Sequence, residues 1–402
     1  MGCVTILSNV RAKHCPSTLH YSPRAGSLSA MTRTTTRPVS TSTNVVKGRA
    51  TPDGTRRLRK RFAKTHGDAF YRELAGGPLV SSLGLGTYLG ECDDSEDARY
   101  TTAIGAALEK GVNLLDTAIN YRCQRSERAV GTAIREAIAT GIIKREEVVV
   151  CTKGGYIPLE SFPPTTKDAY REFLDAEYFE RGVITPGEVV SGGHCLSPRY
   201  LEDQIERSRN NLGLDVIDIY YIHNPEQQFE AMSRPDVLAI MRDAFATMEA
   251  QVKKGRITAY GCATWNGFRV SPEARNHLSL AELTAIAREV GGTDHRFKVV
   301  QLPINLGMTE AIRVPTQLVG TERVPLLEAA RRLGLSVIAS ATLMQSQLTR
   351  SLPSEIHTAF PGFKTDARRA IAFTQSLPVV AALVGMKSRA HLEENLAAPV
   401  SS

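Results

Sequence analysis

The chain has 402 residues, 42% of them hydrophobic and 23% charged, with a net charge of +7. That composition is ordinary for a globular protein, and no run of some 18 apolar residues exists that could cross a bilayer as a helix, so a membrane partner is not expected. Residues 1–52 hold Arg11, Lys13, Arg24, Arg33, Arg37, Lys47 and Arg49 and no acid, which accounts for the whole surplus; the rest is balanced, and nucleic-acid binding stays a minor option.

Residues 1–62 read as a disordered basic tail rich in Ser and Thr. The acid-free stretch Ser27–Thr43 also suits an organellar transit peptide, and Met31 is an alternative start. The run Arg56-Arg57-Leu58-Arg59-Lys60-Arg61 reads as a solvated or mobile charged face. Seven cysteines without a C-x-x-C pair signal neither a disulfide framework nor a zinc site, and no metal is expected. A reducing compartment, the cytoplasm, is the simplest location, with an organelle as the alternative if the tail is a transit peptide.

Past the tail, Phe70–Leu74, Gly76-Gly77 and Leu79-Val80 predict a small hairpin with a glycine turn. Eight short apolar runs follow, at 82–87, 113–117, 147–152, 216–222, 257–263, 298–302, 335–340 and 379–384. Several are rich in Val or Ile, as strands buried on both faces should be. Helical patterns lie between them. One carries Ile104, Ala107 and Leu108 on one face and stops at Lys110-Gly111; another starts at Ser197-Pro198 and stops at Gly213. Eight βα units favour a closed (β/α)8 TIM barrel spanning 70–396, with a short tail at 397–402. A long insertion, 155–197, interrupts the third unit where a few residues would be usual. It should lie on the active-site face, as a substrate cover or as a structural flap.

In such a barrel the side chains at the C-terminal ends of the strands converge on one mouth. Asp116, Lys153 and His223 fall there, and Tyr121 follows Asp116 in the loop. Reducing a carbonyl takes a hydride for carbon and a proton for oxygen, and a phenol of unperturbed pKa about 10 is a slow donor at neutral pH. An ammonium 4 Å away would favour the phenolate by at most about 4 kcal/mol at an effective dielectric of about 20. Lys153 can supply that charge, Asp116 can keep Lys153 protonated, and His223 can bond the carbonyl oxygen.

With these residues in view the chain resembles the aldo/keto reductase family over about 70–396. The resemblance rests on Leu83-Gly84-Leu85-Gly86-Thr87-Tyr88, Asp116-Thr117-Ala118 with Tyr121, Thr152-Lys153, and Ile222-His223-Asn224-Pro225. It implies a barrel plugged by the N-terminal hairpin and an NADPH-dependent reductase of a small aldehyde or ketone. Tyr121 would be the general acid, tuned by Lys153 and Asp116, and His223 would guide the carbonyl. The family's steroid double-bond reductases carry glutamate at the histidine place, so His223 argues for carbonyl reduction. The resemblance also assigns Gly86, Thr87 and Tyr88 to the nicotinamide, Gln301 and Thr264 to its carboxamide, and Leu343 to the pyrophosphate. Lys387, Ser388 and Arg389 would hold the adenosine phosphate, with Asn395 at the adenine. The last three cofactor-phosphate residues open the final helix, where amide donors, the helix dipole and two cations suit a 2′-phosphate, so NADP is preferred over NAD.

Some positions depart from the family pattern. Ala263-Thr264 stands where Ser-Asn is usual, Ser340 where an aromatic stacks under the nicotinamide, and little chain follows Asn395. The missing aromatic sustains a rival reading, a catalytically weak NADP(H)-binding regulatory or redox-sensing protein on the same barrel. No motif specifies an oligomeric state.

Overall fold

The computed structural model describes residues 45–397. The transit-peptide reading, Met31, Cys3 and Cys15 lie outside the described residues, as do 398–402 of the C-terminal tail. Strands β1 (Tyr71–Glu73) and β2 (Leu79–Ser81) form the expected antiparallel hairpin. Then come β3 (Leu83–Gly86), β4 (Leu114–Asp116), β5 (Val149–Gly154), β6 (Ile217–His223), β7 (Ile257–Ala263) and β8 (Phe297–Pro303). A second small hairpin, β9 (Gln317–Val319) with β10 (Glu322–Val324), precedes β11 (Ser336–Ser340) and β12 (Ala381–Gly385). Strands β3 to β8, β11 and β12 close into a parallel eight-stranded barrel, each expected run contributing one strand, with helices outside. The β9–β10 hairpin carries no turn signal that the sequence reading used.

Strand alternation sorts the core into two layers. Leu114, Val149, Cys151, Ile219 and Tyr221 pack inside the barrel, whereas Leu115, Val150, Tyr220 and Ile222 face the helices. Leu74 and Val80 of the hairpin, with Ala50, join the interior cluster and close its N-terminal end. The helix Asp94–Glu109 begins where Asp93 Oδ1 accepts from Glu96 N at 2.8 Å and ends before Gly111, whose φ of 82° lets the chain turn under Tyr71. Helix Pro198–Leu212 ends at Gly213 in the left-handed region (φ 64°), but Ser197 makes no capping bond.

The tail boundary needs correction. Residues 52–62, expected to be disordered, belong to the helix Pro52–His66, capped by Thr51 and opened by Pro52. Its inner face is only Gly54, Thr55 and Leu58; Thr55 Oγ1 accepts from Leu79 N at 2.9 Å, and a Cβ on Gly54 would meet Glu146 O at 2.2 Å. Burying Leu58 is worth about 1.5–3 kcal/mol. The basic run is a solvated face, as expected, though two of its arginines tie it to the barrel: Arg57 pairs with Glu146, and Arg61 with Glu147 at 3.1 Å. Upstream, Ala50 N donates to Asp218 Oδ1 at 2.7 Å.

The insertion is pinched at its base. Ile157 N donates to Gly193 O and Cys195 N to Gly155 O, both at 2.8 Å, so its two ends run antiparallel. Between them lie the helix Lys167–Leu174 and a wide turn, Asp175–Phe179, packed through Tyr178.

Candidate active site

Parity along the strands places the reactive side chains. Asp116 is two residues beyond Leu114, Lys153 two beyond Cys151 and His223 two beyond Tyr221, so each extends the interior layer to the mouth. Lys153 is 1% exposed, and its Nζ donates to Asp116 Oδ1 at 2.6 Å and to Thr117 O at 2.8 Å. The same ammonium lies 4.9 Å from the ring centroid of Tyr121. Tyr121 packs edge-on to His223 at 6.0 Å and to Tyr88 at 5.0 Å. The four residues expected to share an opening are thus brought together.

The electrostatics depart from the simple expectation. Burial, the largest influence on Lys153, pulls its pKa down, but Asp116 and Tyr121 outweigh it and the net shift is upward, so the amine stays charged. Burial also dominates at Tyr121 and raises the phenol, with Lys153 pulling the other way. The phenol therefore holds its proton at neutral pH; the ammonium limits the rise rather than making an acidic phenol. His223 is held well below the usual imidazole range by burial, then by Lys153 and His194, and is neutral. Its Nδ1 is buried with no partner among the described residues.

Two insertion residues support His223, and the sequence reading missed their part. His194 Nε2 donates to the backbone oxygen of His223, and its Nδ1 accepts from Gln228 Nε2, both at 2.7 Å. The second bond requires an unprotonated Nδ1 and so the neutral ring, and burial holds His194 at about 4. The Tyr156 ring meets those of His194 and His223 edge-on at 4.9 and 5.1 Å. Asn224 Nδ2 donates to Tyr156 Oη at 3.0 Å. The insertion thus forms one wall of the mouth. Tyr156, three residues past Lys153, was within reach of a sequence argument; His194 carried no local signal.

The remaining candidates divide. Gly86 pairs in register with Asp116, and Thr87 N donates to Asp116 O at 3.1 Å, which sets this segment on the rim beside Tyr88. Thr264 is 4% exposed and its Oγ1 has no partner among the described residues. The loop after it is pinned by Glu226 Oε1, which accepts from the amides of Trp265, Asn266 and Gly267 at 2.8–3.2 Å. Gln301, expected at a carboxamide, donates Nε2 to Asp116 Oδ2 at 2.8 Å and so braces the Lys153 pair. Leu343 lies half-buried in the loop beyond β11, and Ser340 ends that strand.

At the far edge Lys387, Ser388 and Arg389 line a groove with Ala98, Arg99, Thr102 and Ala103. Ser388 caps the last helix, Arg389–Leu396, through His391 N at 3.2 Å, and Asn395 is buried in its final turn. The two cations are already engaged: Lys387 with buried Glu96, and Arg389 with Glu109 at 3.2 Å.

Comparisons with known proteins bear on the family and the fold. The model of the aldo/keto reductase family matches residues 82–289, just over half of the chain. Among curated relatives, the chain is 26% identical to the NADH-specific methylglyoxal reductase of Escherichia coli (strain K12), over 56% of this chain and 60% of that one. It is 24% identical to human aldo-keto reductase family 1 member C2, over 58% and 53%. The chain therefore spans little more than half the length of these relatives. Among solved structures, an aldo-keto reductase from Klebsiella pneumoniae in complex with NADPH superposes with a TM-score of 0.52 at 18% identity, covering 80% of this chain and 87% of that one. The glycerol dehydrogenase of Gluconobacter oxydans superposes with a TM-score of 0.55 at 19% identity, covering 83% and 92%. With a family match over half its length on a closed (β/α)8 barrel, the chain belongs to the aldo/keto reductase family.

Proposed function

We propose that the protein reduces an aldehyde or ketone to an alcohol with NADPH, or runs the reverse oxidation, with Tyr121 as the proton donor. The observation that carries this reading is the buried Lys153–Asp116 pair beneath the Tyr121 ring, with a neutral His223 alongside. Tyr121 keeps its proton until an alkoxide develops. Lys153 then stabilises the phenolate left behind, and Asp116, braced by Gln301, holds Lys153 charged. His223 donates to the carbonyl oxygen and orients it, while His194 and Tyr156 hold the imidazole in place.

A nicotinamide dinucleotide fits the residues present. Thr264 Oγ1 is a buried hydroxyl in want of a partner, as a carboxamide neighbour requires. Gly86, Thr87 and Tyr88 would line the ring, Leu343 the pyrophosphate, Lys387, Ser388 and Arg389 the adenosine phosphate, and Asn395 the adenine. When bound, the cofactor supplies the hydride. The two cations beside a helix N-terminus support NADPH over NADH. Among the relatives, the Klebsiella structure is described with NADPH and the E. coli reductase as NADH-specific. The test is a steady-state panel of aldehydes, ketones and quinones with each reduced cofactor. Carbonyl-dependent oxidation of NADPH is expected; binding of NADPH without turnover of any carbonyl would instead favour a regulatory protein, which the serine at 340 would suit.

A further inference from the structure

Two cysteines separated by 31 positions meet beside the mouth. Cys92 Sγ and Cys123 Sγ lie 3.5 Å apart, on the loops that carry Tyr88 and Tyr121 respectively. Cys92 is partly exposed, whereas Cys123 is 7% exposed. We propose that Cys92 and Cys123 form a peroxide-oxidisable dithiol whose disulfide disturbs the placement of Tyr121.

The approach is built into the fold. Arg122 Nε donates to Glu91 O at 2.8 Å and its Nη2 to Asp97 Oδ1 at 2.5 Å, while Arg125 pairs with Asp94 and with Asp97 at 2.7 Å. Ser126 Oγ donates to Thr87 O at 2.9 Å. These contacts flank the two thiols and hold their loops together. The remaining cysteines among the described residues, Cys151, Cys195 and Cys262, are buried, so of the described thiols Cys92 is the one an oxidant in solvent meets first.

The chemistry balances with one peroxide. The Cys92 thiolate attacks an O–O bond, forming S–OH and releasing water, or an alcohol from an organic peroxide, which takes up the thiol's proton. The Cys123 sulfur then attacks the sulfenic sulfur. An S–S bond forms, the S–O bond breaks, and hydroxide leaves with the Cys123 proton as a second water. The two thiols are oxidised and the peroxide is reduced, two electrons in all. Burial pushes the Cys123 thiol up to about 12, so it is a poor target for free peroxide; held beside Cys92, it acts as the resolving partner.

Closing the sulfurs to a bond of about 2.05 Å draws them together by roughly 1.5 Å. Cys123 is two residues from Tyr121, in a left-handed run where Arg122, Cys123 and Gln124 have φ of 48°, 53° and 69°. A misplacement of about 1 Å in such a group can cost on the order of a hundredfold in rate.

The experiment treats the whole protein with hydrogen peroxide, maps thiols by mass spectrometry and measures turnover in parallel. Expected are a Cys92–Cys123-linked peptide lacking two hydrogens, and a fall in kcat/KM of at least about fivefold. Dithiothreitol should reverse it, and Cys92→Ser should escape it. Over-oxidation of Cys92 without linkage, linkage without loss of turnover, or equal inactivation of Cys92→Ser would each overturn the proposal. The turnover arm rests on the proposed carbonyl reduction. The mass arm does not, so absence of any carbonyl substrate and absence of the disulfide remain separate results.

Discussion

The mouth of the barrel and the groove at its far edge treat their cations in opposite ways. At the mouth, Lys153 is fully enclosed, and its carboxylate partner has a second support in Gln301. In the groove, Arg389 is 62% exposed and Lys387 35%, and each is held by an acid from the Asp94–Glu109 helix. A buried pair must stay intact, because separating it strands a charge away from water. The Arg389–Glu109 pair, open to solvent on both sides, exchanges partners at little cost, whereas Lys387 is half-exposed on a buried carboxylate and stands between the two cases. On the proposed function, the first belongs to the chemistry, and the Arg389 pair is the contact an incoming phosphate would displace most easily.

The largest effect should come from Tyr121→Phe. Removing the proton donor should lower kcat by about 10²–10⁴-fold while leaving NADPH affinity, read by quenching of protein fluorescence, nearly unchanged. A variant that turns over normally would remove Tyr121 from the chemistry and end the contrast at its stronger pole.

Next comes Asp116→Asn. It keeps the size of the side chain but leaves the Lys153 ammonium buried without its counter-charge, at a cost of about 3–5 kcal/mol. Urea unfolding should show a clear drop in midpoint with an unchanged slope, alongside loss of turnover. A midpoint equal to the parent's would mean that the pair is no better enclosed than those of the groove.

The smallest changes belong to the groove. Lys387→Ala should weaken NADPH by about 1 kcal/mol, several-fold in Kd, and leave NADH nearly alone. Glu96→Gln should move the ratio the other way, since it frees Lys387 and removes a like charge from the phosphate's surroundings. Titration of both cofactors against both variants checks this. If Lys387→Ala weakened NADH as much, the groove would not read the phosphate.

The barrel was legible because its strands are buried on both faces and so read as short apolar runs, each punctuated by a glycine or a capped helix. The mouth was legible for a related reason: Asp116, Lys153 and His223 stand at the C-terminal ends of such runs, where a barrel gathers its side chains. The helix Pro52–His66 escaped because its buried face is three residues, and two of its arginines, Arg57 and Arg61, pair with Glu146 and Glu147, some ninety positions away. His194 escaped likewise. Nothing near it in the chain announces that it will bond the backbone of His223.

Alternation of strand and helix settled the architecture, and the ends of the strands pointed to the groups around the opening, since both are local properties of a buried parallel strand. Which way those groups titrate, what holds Lys387 and Arg389, and that Cys92 lies against Cys123 depended on the assembled protein. Burial and long-range neighbours set these features, and no stretch of chain carries either by itself.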